Sequence, residues 1–179
     1  METKTYTVYK FEELSEEAKE KAIEHFRDNV VDFPWSDEYI EGMKAFAEFF
    51  NISLGRWSVG GRGECVPFEL SEEMEALSGR KLKRYLKENY LERKNKHGHK
   101  PLDGQCFFTG FCGDEDLLDP MRKFFKYPGK IEAKELFEDC FNAWIKAYNA
   151  DRDYQYTDKS IIETIQENDY DFLENGKLD

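Results

Sequence analysis

ISLGRWSVGGRGECVPFEL, residues 52–70, decides the fold class of this chain. ISLGRWSV reads as a strand, the glycines at 60, 61 and 63 as a turn, and ECVPFEL as a returning strand, which makes the segment a hairpin. A hairpin joins antiparallel neighbours, whereas a doubly wound sheet needs a crossover between parallel ones. Pro67 has no N–H to give to a ladder, so the returning strand belongs at an edge or a bulge. The expected class is therefore α+β: an antiparallel or mixed sheet with a central hairpin, packed by amphipathic helices.

Working outward toward the N-terminus, TYTVYKF (5–11) alternates like a strand, and Ser15 caps a helix over 16–29 whose face is Leu14, Ala18, Ala22 and Phe26. Pro34 and Ser36 then open a second helix with the stripe Tyr39, Met43, Phe46, Ala47 and Phe50. Toward the C-terminus, Ser71 caps a short helix, Ser78-Gly79 interrupts it, and a basic helix runs on from Arg80. KHGHKPLDGQ (96–105) reads as a mobile loop, CFFTGFC (106–112) as a buried strand, and Asp119-Pro120 as the start of a short helix. The longest amphipathic helix spans 131–150, with Ala133, Leu136, Phe137, Cys140, Phe141, Trp144 and Tyr148 on its buried arc. Asp158 caps a last helix through Ile161, Ile162 and Ile165, and 170–178 adds a strand and turn.

With 179 residues, the chain is expected to be a single globular domain, 1–179, able to bury roughly 70% of its unfolded surface. Its 15 Phe, 10 Tyr and 3 Trp supply ample core material. No apolar run approaches the ~20 residues of a membrane span, and the polar N-terminus lacks the apolar centre of a signal peptide. A cytoplasmic location follows as an expectation, with Cys65, Cys106, Cys112 and Cys140 as reduced thiols.

Charge is the strongest functional signal. The stretch 80–100, RKLKRYLKENYLERKNKHGHK, carries a local balance of +7 in a chain whose net charge is −12, leaving −19 for the remainder. On a helical wheel Leu82, Tyr85, Leu86 and Tyr90 point one way, while Arg80, Lys83, Arg84, Lys87 and Lys94 point the other. Arg93, Lys96 and Lys100 extend this stripe, and the expected binding residues are Arg80, Lys83, Arg84, Lys87, Arg93 and Lys94. Such a stripe suits phosphates or an acidic patch, and the acidic remainder suits a positively charged target, such as a nuclease channel or a toxin's nucleic-acid groove.

Catalytic and metal chemistry find little support. His97, His99, Cys106 and Cys112 have ligand atoms, yet an extended strand would hold its two thiols roughly 20 Å apart. Asp114-Glu115-Asp116 and Asp151-Arg152-Asp153 flank helices, where acids serve as caps, and His25 shares a face with Ala18 and Ala22. No serine or cysteine has an evident base, and the glycine cluster at 60–63 leads into a strand rather than a phosphate-binding helix N-terminus. Neither a catalytic residue nor a cofactor is assigned.

Four segments carry a family resemblance: TVYKFEELSEEAKEKAIEHFRD (7–28), FFNISLGRWSVGGRGECVPFE (49–69), HGHKPLDGQCFF (97–108) and AWIKAYNADRDYQYTDKSIIETIQENDYDFLENGKL (143–178). Together they resemble a family of small proteins of phages, prophages and other mobile elements labelled "antitoxin of toxin-antitoxin stability system". The chain departs from the family at Gly61-Arg62-Gly63, where its relatives carry Gly-Asp-Gly. The resemblance implies a non-enzymatic accessory protein that neutralises an effector by direct binding. By analogy of size and charge alone, the chain is also similar to inhibitors of host defence nucleases, anti-CRISPR proteins among them. Two other readings stay open: a nucleic-acid-binding accessory protein acting through the basic helix 80–96, and a small metal-dependent hydrolase or nuclease.

Overall fold

The computed structural model describes residues 7–104 and 106–179. It is an α+β structure in which helices dominate, and the described β structure is two separate two-stranded antiparallel ribbons rather than one continuous sheet. Contacts gather into two compact units, one from Met1–Phe33 and Asp151–Asp179, the other Pro34–Ala150.

In the first unit, β1 (Tyr9–Lys10) pairs antiparallel with β4 (Asp171–Phe172), Tyr9 opposite Phe172. Thr5 and Tyr6, part of the expected N-terminal strand, lie outside the described residues. Helix α1 (Glu16–Asn29) starts where Ser15 accepts from Ala18 N at 3.3 Å, and its buried face is Ala18, Ala22 and Phe26. These side chains pack with Phe11, Leu14, Phe172 and, from α7 (Asp158–Glu167), Ile161 and Ile165. Thr157, rather than Asp158, caps α7 by accepting from Ser160 N. The C-terminal turn closes against α1 at Gly176: with φ at +83° and an added Cβ only 2.1 Å from the Ala18 carbonyl oxygen, no side chain fits there.

The second unit opens with α2 (Ser36–Phe49). Ser36 is its first residue, and Trp35 in the capping position makes no side-chain cap. The hairpin follows as read: β2 (Ser53–Leu54) pairs with β3 (Phe68–Glu69), and Ser58 and Cys65 bridge further out. Pro67 contributes only its carbonyl, which accepts from Gly55 N at 2.7 Å. The Glu64 carboxylate closes the turn by accepting from Gly60 N and Gly61 N at 3.0 and 3.1 Å. Helix α6 (Ala133–Gln155) buries the predicted arc in full, from Ala133 to Tyr148, and Trp144 Nε1 donates to Tyr39 O at 3.1 Å. Phe46 of α2 meets Phe137 and Phe141 of α6 in edge-to-face contacts with ring centroids 6.0 and 5.6 Å apart, a geometry that adds to the area they bury.

Two readings of the sequence are corrected. Residues 106–112 form no strand: Cys106 is left-handed (φ +46°) and the chain turns repeatedly before Gly113. Helix α5 (Gly113–Lys126) begins well before Asp119-Pro120 and takes Pro120 inside it. One residue explains the first departure. The wholly buried Asp114 accepts from Phe108 N, Thr109 N, Gly110 N and Thr109 Oγ1 at 2.8, 2.7, 3.3 and 3.0 Å, satisfying amides that a ladder would otherwise have taken. Its Oδ1 also lies only 2.9 Å from where a Cβ on Gly42 would stand, so α2 and α5 approach closely at that glycine.

Candidate functional site

The basic stretch is positioned by a backbone lock. Short helix α3 (Glu72–Glu75) is capped by Ser71, and α4 (Gly79–Leu86) starts after it at a glycine with φ +53°. Gly79 N donates to Ile131 O at 2.9 Å, and a Cβ there would sit 2.7 Å from the Gly129 carbonyl oxygen. With Ala133 N donating to Leu77 O, the start of α4 is pinned to the segment entering α6. Leu82 and Leu86 are wholly buried, and the helix then widens into a π turn, Lys87–Leu91. Leu86 and Leu91 are five residues apart, so the wider turn brings both to the core side, with Tyr90 buried between them.

The six expected binding residues separate into three situations. Arg80, Arg84 and Lys87, at spacings of four and three, share one exposed face, and Lys81 is exposed beside them. Among the described residues, Arg80, Lys81 and Arg84 form no salt bridge; Lys87 makes one long contact, 3.9 Å, to Glu92. Lys83 leaves the stripe: half-buried, it donates to Phe125 O at 2.6 Å, with its Nζ 5.7 Å from the Phe125 ring centre. Lys100, expected to extend the stripe, is neutralised by Glu92, and its hydrogen bond holds the Glu92 carboxyl below the usual range.

Arg93 and Lys94 lie past the helix, at the rim of a groove of about 500 Å³ lined by Ala45, Glu48, Phe49, Asn51, Asn95, Phe107 and Phe108. Arg93 lays its guanidinium over Tyr90 and Phe49, 5.1 and 5.9 Å from the ring centres. Phe49, Phe107 and Phe108 pack edge to face, with centroids 5.2 to 5.6 Å apart. The loop beside them is built rather than loose. Asn95 Oδ1 accepts from His97 N and His99 N at 3.0 and 3.1 Å, while Asn95 Nδ2 donates to Phe107 O at 3.4 Å. This aromatic floor escaped the sequence reading because Phe107-Phe108 were assigned to a buried strand, and adjacent Phe pairs, which recur at 49–50 and 124–125, do not show which of them meet.

Other ionisable groups serve structure. Glu115 accepts from Cys106 N at 2.8 Å and pairs with Arg122, which also reaches Asp119. Burial raises the Cys106 and Cys140 thiols above their ordinary range, with Glu115 adding to the first. Burial also lifts Tyr85 to about 12, with Tyr90 and Glu73 contributing. Among the described residues, no three His, Cys, Asp or Glu side chains gather as a metal site, and no helix is long and apolar enough to cross a membrane.

Acidic surface runs along other helices. On α1, Glu20, Glu24 and Asp28 are exposed at four-residue steps, about 6 Å of rise each. They form no salt bridge among the described residues, unlike Glu16 and Glu17, which pair with Lys19 and Lys21. Comparison of the chain with protein-family models, curated proteins and solved structures returns no match.

Proposed function

We propose that this protein is a non-enzymatic inhibitor, of the kind carried by phages and other mobile elements, that binds a nucleic-acid-processing effector in the host cytoplasm. Its target is a defence nuclease such as a Cas9-type enzyme, or a toxin that acts on nucleic acid. One observation carries the reading: Arg80, Arg84 and Lys87 are displayed together on a pinned, core-anchored helix in a chain of net charge −12. Positive charge so isolated orients an encounter, drawing phosphate or acidic surface to α4, while the carboxylates of α1 suit the basic channel of the same target. The family resemblance of residues 7–28 and 143–178 supports the same assignment.

The test is capture of the effector from host lysate with the tagged full-length chain, alongside protection in a plasmid-interference assay. Recovery of a nuclease or toxin by the wild-type chain, and its loss in R80E/R84E/K87E, is the expected result. Failure of both capture and protection rejects the reading. Steeply salt-dependent binding of naked RNA or DNA by α4, with no effector recovered, would instead establish the accessory-protein alternative.

A further inference from the structure

We infer that the groove between Phe49, Phe107, Phe108 and Arg93 is a nucleotide site, taking a flat base on its aromatic floor and a phosphate at its cationic rim. The inference concerns a site apart from the exposed face of α4 and does not rest on the inhibitor reading. Three features of the groove converge on this ligand. Its volume of about 500 Å³ falls within the ~300–1,000 Å³ of small-molecule sites, and three phenyl rings form its floor. Phe49 and Phe108 are only half-buried, which leaves ring surface for a base to stack on. Arg93 sets its guanidinium carbon over the Tyr90 and Phe49 rings and, among the described residues, its side chain makes no hydrogen bond or salt bridge, so its N–H groups remain for a phosphate. Lys94, exposed and without a salt bridge among the described residues, adds a second cation.

The acid at the rim discriminates between ligand classes. Glu48 is exposed and lines the groove with Asn51, whose Nδ2 is directed to Tyr90 Oη at 3.3 Å, leaving its Oδ1 as an acceptor. A wholly anionic ligand such as an acidic peptide would meet repulsion from Glu48. A nucleotide carries both negative charge and, on most bases, N–H donors, and the groove lining offers both complements: the cations Arg93 and Lys94 and the acceptors of Glu48 and Asn51. The ordered Asn95 loop and the Asp114 cradle hold Phe107 and Phe108 in place before any ligand arrives, which lowers the ordering cost of binding.

The same chemistry is offered by a free nucleotide or by one residue of a single strand, and the experiment separates them. The full-length chain is titrated with a fluorescein-labelled single-stranded RNA of mixed sequence, with its duplex, and with AMP, CMP, GMP and UMP as competitors, using anisotropy. The proposal expects the single strand to bind more tightly than the duplex, with about tenfold loss in F108A and in R93E/K94E and no change in K146E, which alters an exposed lysine of α6 that does not line the groove. Competition by mononucleotides identifies a free-nucleotide site; binding by the strand alone identifies a strand site. R93E/K94E alters only exposed side chains, and circular dichroism checks its fold, so the test survives if F108A fails to fold. No binding of strand or mononucleotide by the wild-type chain overturns the proposal. So does binding that survives R93E/K94E but is lost in R84E/K87E, or preference for a poly-glutamate peptide over RNA.

Discussion

The exposed face of α4 and the groove beside α2 use the same cations to opposite ends. On α4 and the start of the π turn after it, Arg80, Arg84 and Lys87 stand on an exposed helix face with few partners among the described residues. At the groove, Arg93 is laid on two rings and Lys94 borders a concave aromatic floor. A charge on an exposed, solvated face acts at long range and is screened by salt; a charge held over rings acts at contact and depends on shape. In the two proposals, placement rather than residue type separates a steering surface from a recognition site.

The largest effect expected of this contrast is kinetic. Reversing R80E/R84E/K87E should weaken effector capture by about a hundredfold, chiefly through slower association, with the deficit shrinking as salt is raised. Surface plasmon resonance at low and high salt reads this, and a salt-independent deficit would show that α4 makes close contacts instead.

Removing the support under the groove comes next. D114A strips the acceptor from three loop amides and should cost about 1–3 kcal/mol in stability, measured by chemical denaturation, while leaving effector association intact. D114N retains an acceptor oxygen and should recover most of that loss. The pH dependence has a definite sign. Burial raises the Asp114 carboxyl above its ordinary value, so the folded chain binds the proton more readily than the unfolded chain. Between the ordinary and the raised value this group makes stability decline as pH rises, and D114N should abolish that decline.

A charge-conserving pair sharpens the comparison further. R93K keeps the charge but loses the guanidinium over the Tyr90 and Phe49 rings, so groove binding should fall several-fold, whereas R84K on the exposed face of α4 should change effector binding within about twofold. Equal effects would erase the distinction between the two surfaces.

The smallest effect is at the thiols. Cys65 and Cys112 are exposed and should label rapidly in the native chain, while buried Cys140 should react only on unfolding. Cys106, raised by burial and by Glu115, should label more slowly than Cys112 at the same pH, its rate climbing at higher pH. A groove ligand should slow Cys106, the neighbour of Phe107, and leave Cys65 unaffected.

Much of this architecture could be read from residue order. The apolar stripes of α1, α2 and α6 are local patterns of period 3.6, and the residues assigned to them are buried as expected. The hairpin at 52–70 was legible because glycine and proline punctuate it. The segment 106–112 misled because an apolar run carries no sign of the acceptor that will satisfy its amides. Asp114 is near in sequence, yet nothing local shows that its carboxylate turns back into the loop while α2 closes over it at Gly42. Lys83 misled for a related reason: helical spacing placed it on the charged face, and the carbonyl of Phe125, remote in sequence, captured it.

From sequence alone came the α+β class, the helix faces and the single island of positive charge in an acidic chain, because periodicity and net charge are properties of residue order. Tertiary structure alone decided which cations stay free, which are tied down, and that Arg93 and Lys94 border an aromatic groove. Those outcomes depend on partners separated by tens of residues, whose meeting is set by packing and by the satisfaction of buried polar groups.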